Sequence, residues 1–405
     1  MTHEGYLPGS SGYRRIVWSL FAAGLATFTL LYSTQALLPD LRRDFDVSTG
    51  ASTLSVSLAM FGIGAGLLIA GPLSDVVGRT RLIHLSLGAS VVIGFASALA
   101  PTWEALLALR FLDGFALAGL PAVATAYLRE ELHPSSQGRA AGLYVGGTAF
   151  GGMSGRLVSG FGAELGGGWR WGIAATVLVG LACAVLVRLA LPASRGFEPA
   201  PGNPRALAAM TRRALSDPAL LALYAIGGCS LGAMVALFNT IGFRLADPPF
   251  ALGIGAASLV FLVYPLGTVS STWFGDLADR HGRRTVIPIG AAVAIVGALL
   301  TLPDVLSLVV AGMGLLVIGF FAVHGVASGW VPLRAHLGGT SAGQAASLYL
   351  FTYYLGSAVF GTASGAAWTR AGWPGSVAMS VVLMLLVVVL AVLLRRTPSL
   401  VPGMR

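Results

Sequence analysis

Arg110 and Asp113 stand three residues apart inside an otherwise largely apolar run, 104–128. On a helix that spacing puts both side chains on one face within reach of each other. At 1.5 Å per residue from Glu104, Arg110 lies roughly 9 Å along the run. Charges at such depth in an apolar medium must face a partner, a cavity or another helix. Two chemistries are open: a static ion pair that holds helices together, or a carboxylate that takes and releases a proton as its access to water changes. Arg156, in Gly151-Gly152-Met153-Ser154-Gly155-Arg156, is the second buried-type cation. It could bind an anionic group, pair with Asp113, or reach outward to lipid headgroups. His324 is a third candidate, well inside a run of the second half, with a titration range that suits a proton carrier. A histidine satisfied by a neighbouring hydroxyl is its plainer reading.

Softer groups surround these. Tyr32 and Gln35 end the first run, Asn239 lies in the seventh, and Tyr144 and Phe115 add aromatic surface. Together they could line a cavity for an amphipathic substrate, or simply pack helix against helix. Other chemistry is poorly served. All 25 basic residues are Arg, so a phosphate-binding loop and a pyridoxal Schiff base both lack their lysine. Gly228-Cys229-Ser230-Leu231-Gly232 spells a nucleophile elbow, but within an apolar run without a strand before it. Gly62-x-Gly64-x-Gly66 suits close helix packing rather than a dinucleotide. Cys183 and Cys229 give neither a disulfide framework nor metal-ligand spacing. The expectation is no enzyme, no metal and no cofactor.

The elements that must position these groups are membrane helices. Apolar residues make up 56% of the 405, charged residues 10%, and the mean hydropathy is +0.81. A bilayer-spanning helix needs about 20 mostly apolar residues. Twelve such runs are present, near 16–37, 51–73, 81–100, 104–128, 139–161, 171–191, 218–241, 251–273, 286–303, 305–330, 343–366 and 375–394. The first is longer than a signal-peptide core and has a counterpart in the second half, so it reads as a span. With the N-terminus inside, 18 Arg fall on inner segments and five (Arg42, Arg43, Arg170, Arg244 and Arg370) on outer ones. The net charge of +9 is then an orientation signal, with both termini cytoplasmic, and does not point to nucleic acid.

The chain also repeats itself. Gly71-Pro-Leu73-Ser-Asp75-Val76-Val-Gly78-Arg79 returns 204 residues later as Gly275-Asp-Leu277-Ala-Asp279-Arg280-His-Gly282-Arg283. Arg129 and Arg334, Tyr144 and Tyr349, and Trp169 and Trp373 follow within one residue of that step. Parallel repeats of this kind meet around a central site in transporters. The expected division is a six-helix bundle over 1–191, a Pro- and Arg-rich solvated connector over 192–217, and a second bundle over 218–405.

The doubled Gly-x-Leu-x-Asp-x-x-Gly-Arg segment resembles the signature loop of the major facilitator superfamily. Arg110-Phe-Leu-Asp113-Gly114 is similar to the fourth-helix motif of its proton-coupled members, although Asp113 stands where a glutamine is usual. Gly142, Gly151, Gly155 and Gly160 match the fifth-helix glycine motif of its antiporters, with Arg156 in place of a proline. The Tyr32-x-Thr34-Gln35 and Tyr144 to Arg156 stretches look most like the YnfM-like branch of bacterial efflux permeases for drugs and sugars. The resemblance implies an all-α fold of twelve spans in two pseudo-symmetric bundles, in a bacterial inner membrane, working as a monomer. It also implies an inner charge latch of Asp75 and Arg79 with Glu130, Glu131 or Arg129, repeated by Asp279, Arg280 and Arg283. Val76 replaces a usual basic residue, which the second copy keeps as Arg280, so the first latch is expected to be weaker than is usual in the superfamily.

The function expected is proton-coupled export of small amphipathic molecules by alternating access, driven by the proton gradient alone. The alternative is proton-coupled uptake of a sugar or organic anion. A non-transporting receptor or scaffold is a third reading, one that has little use for a doubled latch.

Overall fold

The computed structural model describes residues 5–197 and 204–397, with side chains of 204–207 left aside. Pro199, Pro201 and Arg405 lie outside the described residues, as does the side chain of Arg205. Among the described residues the chain is helical, with a single isolated bridge between Tyr6 and Leu132.

The first span is broken. Helix α1 (Ser11–Leu31) starts at Ser10, whose hydroxyl accepts from the Tyr13 N–H. It ends at Tyr32, and a 3-10 turn over Gln35–Leu37 leads into α2 (Leu38–Asp44). The second span comprises α3 (Thr49–Ser52) and α4 (Leu54–Val77), and the third is α5 (Arg79–Ala98). The fourth divides into α6 (Trp103–Leu117), capped by the Thr102 hydroxyl, and α7 (Gly119–Glu131). Helices α8 (Pro134–Gly166) and α9 (Trp169–Ala190) complete the first half. Proline at the first position of α8 costs nothing, because its missing N–H would have had no helical partner.

Within the connector, a short helix α10 (Pro204–Ala214) forms. Then come α11 (Pro218–Ala246), α12 (Ile254–Ser258), a 3-10 turn over Leu259–Val263, and α13 (Leu266–His281). Helices α14 (Arg283–Leu300) and α15 (Leu306–Leu337) follow. Helix α16 (Ala342–Leu393) is two spans joined at a kink, where Ala371 and Gly372 leave helical geometry. Ten helical segments among the described residues are long and apolar enough to cross a bilayer. Dividing α16 at its kink and adding the 33-residue α8, whose polar residues dilute it, gives twelve spans. Their outward surfaces carry large exposed apolar side chains such as Leu85, Trp171, Leu178, Val269 and Trp273, as lipid contact requires.

The helices form two compact units. The first comprises Met1–Asp46, Leu58–Gly202 and Gly253–Phe261; the second comprises Val47–Ser57, Asn203–Leu252 and Leu262–Arg405. This departs from a simple cut at the connector, and small residues explain why. Ser258 of α12 packs at Gly160 of α8 within the first unit, and Gly50 of α3 lies against Gly365 of α16 within the second. In the first unit, α1 packs along α8. A Cβ on Gly151 or Gly155 would run into the carbonyls of Leu25 and Thr29, so only glycine permits this approach. That close contact brings the break in the first span beside Arg156.

Candidate functional site

The broken first span exposes helix-end carbonyls inside the bundle, and a buried cation takes them. Arg110, 1% exposed, donates through Nη2 to the Leu31 carbonyl at 2.6 Å and through Nη1 to that of Leu30 at 3.3 Å. Carbonyls at a helix C-terminus lack helical donors and carry partial negative charge, so a guanidinium there serves as an interior cap. The same Nη1 lies 2.6 Å from Oδ2 of Asp113, also 1% exposed. The other carboxylate oxygen, Oδ1, is buried without a hydrogen bond among the described residues. Helix α6 sets this arrangement: its three-residue spacing aligns the pair, and Gly114 removes a Cβ that would strike the Ala59 backbone of α4. Breaking such a buried pair by removing one partner typically costs about 3–5 kcal/mol.

Arg156 occupies the far side of the same break. It is fully buried on α8 and does not reach outward. Its Nε donates to Oε1 of Gln35 at 2.5 Å, and Nη1 to the Gly152 carbonyl at 2.5 Å. The guanidinium carbon lies 3.8 Å from the Tyr32 ring centroid and 5.3 Å from that of Phe261. Asp113 is engaged by Arg110, and Arg156 by Gln35 and two aromatic rings. The unwound turn Tyr32–Gln35 is therefore the common element, with Tyr32 and Gln35 both buried. Cation–π contact in a dry site contributes about 2 kcal/mol.

The remaining first-half candidates lie elsewhere. Tyr144 belongs to an apolar cluster with Tyr13, Val17 and Leu20, about 18 Å along α8 from Arg156 by helical rise. Phe115 is exposed, in a tilted contact with Phe111 at 6.5 Å. Neither joins the arginine cluster.

In the second unit, His324 of α15 is half-buried with its Nδ1 2.9 Å from the Tyr349 hydroxyl. The imidazole stacks on Phe320 at 5.8 Å and lies 4.5 Å from the Tyr353 ring. Tyr349 and Tyr353 are one turn apart on α16, a spacing that could have picked them out from the many aromatic residues. Asn239 of α11 is buried and donates to the Gly361 carbonyl at 3.3 Å, a helix-to-helix tie. The Gly228–Gly232 pattern is ordinary helix interior: the Ser230 hydroxyl donates to the Gly227 carbonyl.

The two signature segments differ. In the first, Arg79 makes a 2.6 Å ion pair with Asp75 and a 3.1 Å pair with Glu130, bonds the Ser74 hydroxyl, and stacks under Phe197. Among the described residues, Asp279, Arg280 and Arg283 form no ion pair. Arg334, the counterpart of Arg129, instead pairs at 2.9 Å with Asp217, the cap of α11. Of the partners expected for the first segment, Glu130 is the one that supplies the counter-charge to Arg79. Gly78 and Gly282 have φ of 98° and 85°, so each copy needs glycine at its turn into the next helix, while Gly71 and Gly275 face open space. Glu131 is fully buried and accepts from the backbone N–H of Arg195 and Gly196 and from the Ser194 hydroxyl. Nothing in the sequence marked the connector as its partner.

No group of three or more metal-ligating side chains occurs among the described residues. Comparison with known proteins fits this arrangement. A profile of the Major Facilitator Superfamily matches residues 20–275. The chain is 40% identical to "Uncharacterized MFS-type transporter YybF" of Bacillus subtilis (strain 168) over 380 residues, 94% of this chain and 93% of that one. It is 39% identical to "Inner membrane transport protein YnfM" of Escherichia coli (strain K12), covering 94% and 90%. Among solved structures, a bacterial homologue of the human lysosomal transporter Spinster, inward-facing and unoccupied, superposes with a TM-score of 0.78 at 16% identity, covering 96% and 98%. A point mutant of the nucleoside transporter NupG gives 0.69 at 18%, covering 94% and 99%. The two-bundle membrane fold, the doubled signature segment and these similarities agree: the chain belongs to the Major Facilitator Superfamily and is a multi-pass membrane transporter.

Proposed function

We propose that this transporter exports small amphipathic molecules in exchange for protons, by alternating access, with the proton gradient as its energy source and no cofactor. The observation that carries the reading is the Arg110–Asp113 pair, buried and tied to the carbonyls of a broken span. Protonating Asp113 would remove one member of the ion pair while Arg110 keeps its bonds to the Leu30 and Leu31 carbonyls. The strain on that helix end would change, which is the kind of differential interaction that shifts a two-state equilibrium. The pair Arg79–Glu130 at the signature segment would stabilise one of the two states. The His324–Tyr349–Tyr353 stack offers aromatic surface for an amphipathic substrate. On this reading the protein is a monomer in a bacterial inner membrane with both termini cytoplasmic.

One observation favours a second reading. Arg156, framed by Tyr32, Gln35 and Phe261, suits a carboxylate or another anionic group and would serve proton-coupled uptake of an organic anion. Proteoliposomes loaded with a pH-indicating dye decide between them when challenged with amphipathic compounds and organic anions. Export in exchange for protons requires proton movement opposite to substrate. Movement in the same direction establishes uptake instead, and substrate flux independent of pH rejects both.

A further inference from the structure

One cavity takes no part in the transport chemistry above. It has a volume of about 520 Å³ and lies at the end of the first unit that carries the Gly71–Arg79 segment, between the start of α5 and the end of α9. Its wall contains Arg81, His84 and Arg188, together with Thr80, Val77, Leu85, Leu191 and Ala193, and among the described residues no carboxylate lines it. Arg81 is the third residue of α5 and Arg188 the third from the end of α9. Two packed helices thus deliver their guanidiniums to one level, a single turn from the helix ends. Both arginines are exposed, and among the described residues neither forms an ion pair or a hydrogen bond. His84 lies within electrostatic reach of Arg188, so the positive charge has an imidazole beside it. The floor is fixed, because the Thr80 hydroxyl accepts the Ser194 N–H at 3.1 Å.

The walls change character along the helices. Past the charged level, the surface of both helices is apolar: Leu85 and Val92 on α5, and Leu186, Val185 and Leu178 on α9, are all substantially exposed. A ligand matching this sequence carries a phosphate-sized anion at one end and hydrocarbon at the other. A lone interfacial arginine merely reaches for the headgroup layer, whereas converging cations between spans form a basic pocket for an anionic headgroup.

We propose that this cavity is a binding site for one anionic phospholipid, with its phosphate between Arg81 and Arg188 and its acyl chains along Leu85 and the exposed face of α9. The Ser194 bond to Thr80 places the connector at the cavity floor, so lipid and connector share a wall.

Native mass spectrometry of the detergent-solubilised full chain, titrated with phosphatidylglycerol, measures the affinity directly. The expected result is saturable binding, with Arg81→Gln/Arg188→Gln weakening it about 20-fold and phosphatidylcholine binding no better than that variant. Arg395→Gln/Arg396→Gln removes the same charge from exposed positions elsewhere and should leave affinity within about threefold. Equal loss in the two variants would overturn the proposal, since only diffuse attraction would then be at work. Competition by soluble glycerol phosphate at similar concentration would overturn it too, by making the occupant a free anion. If the double glutamine variant does not fold, Arg81→Lys/Arg188→Lys decides: retained charge should retain binding, and a folded lysine variant that has lost it contradicts the assignment.

Discussion

The two halves repeat one another in sequence, yet they bury different chemistry. The first carries Arg110, Asp113 and Arg156 inside its spans, each 1% exposed or less. The second holds different groups at its interior: a buried Asn239 tied to a backbone carbonyl, and a half-buried histidine against tyrosine and phenylalanine rings. The signature segments differ in the same sense: ion pairs join Arg79 to Asp75 and Glu130 in the first, and among the described residues none forms at Asp279, Arg280 or Arg283 in the second. A repeat thus fixes backbone requirements, such as the positive φ at Gly78 and Gly282, and leaves side-chain chemistry free to diverge. Charge inside a membrane needs its whole set of counter-groups, so it collects in one half. The broken first span supplies that set.

The largest effect expected from breaking this contrast comes at Arg110. Arg110→Gln leaves Asp113 buried without its partner and should cost about 3–5 kcal/mol. A marked loss of thermal stability in detergent would report it. Adding Asp113→Asn should recover part of that loss, because no unpaired charge then remains; an additive double variant would show that the two side chains do not depend on each other. Removing the second half's histidine should matter less to stability. His324→Phe keeps the stack with Phe320 and Tyr353 and forfeits one hydrogen bond, about 1 kcal/mol, while weakening binding of any substrate that uses the imidazole.

The signature segments sharpen the comparison at smaller scale. Arg79→Gln should change the rate of substrate exchange several-fold, whereas Arg283→Gln should leave it within the error of a counterflow assay. Equal effects would mean that the ion pairs at Arg79 do not distinguish the copies. The smallest effect is at Asp217. Burial opposes its charge, but hydrogen bonds from Arg334 and the Ala219 N–H win and hold its carboxyl below the ordinary 3.8. A folded pKa below the unfolded one means stability that is complete above about pH 4 and lost as pH falls through the folded value. Asp217→Asn keeps a competent helix cap, so the loss should be about 1 kcal/mol at neutral pH, shrinking below pH 4.

Much of this was legible in the residues. Twelve runs, their division into halves and the doubled segment follow from apolar length and spacing, because a bilayer imposes both. Arg110 and Asp113 were readable as partners from their spacing on one helix. The pairing of Arg156 was not, since it depends on a turn in another span and on Phe261, more than 100 residues away. Tyr32 and Gln35 were visible as polar residues but not as the unwound turn that joins two arginines. Tyr144 and Phe115 look equally suitable in sequence, and only packing separates a core tyrosine and an exposed phenylalanine from the cluster. The Glu130 and Glu131 roles likewise depend on where the loop and the connector land.

Asp113 is the one carboxylate proposed to link protons to substrate movement. Proteoliposomes containing Asp113→Asn, compared with wild type under an imposed pH gradient and in gradient-free counterflow, test it most directly. The variant should still exchange substrate in counterflow but no longer drive it against a concentration gradient. Undiminished gradient-driven transport by that variant would contradict it.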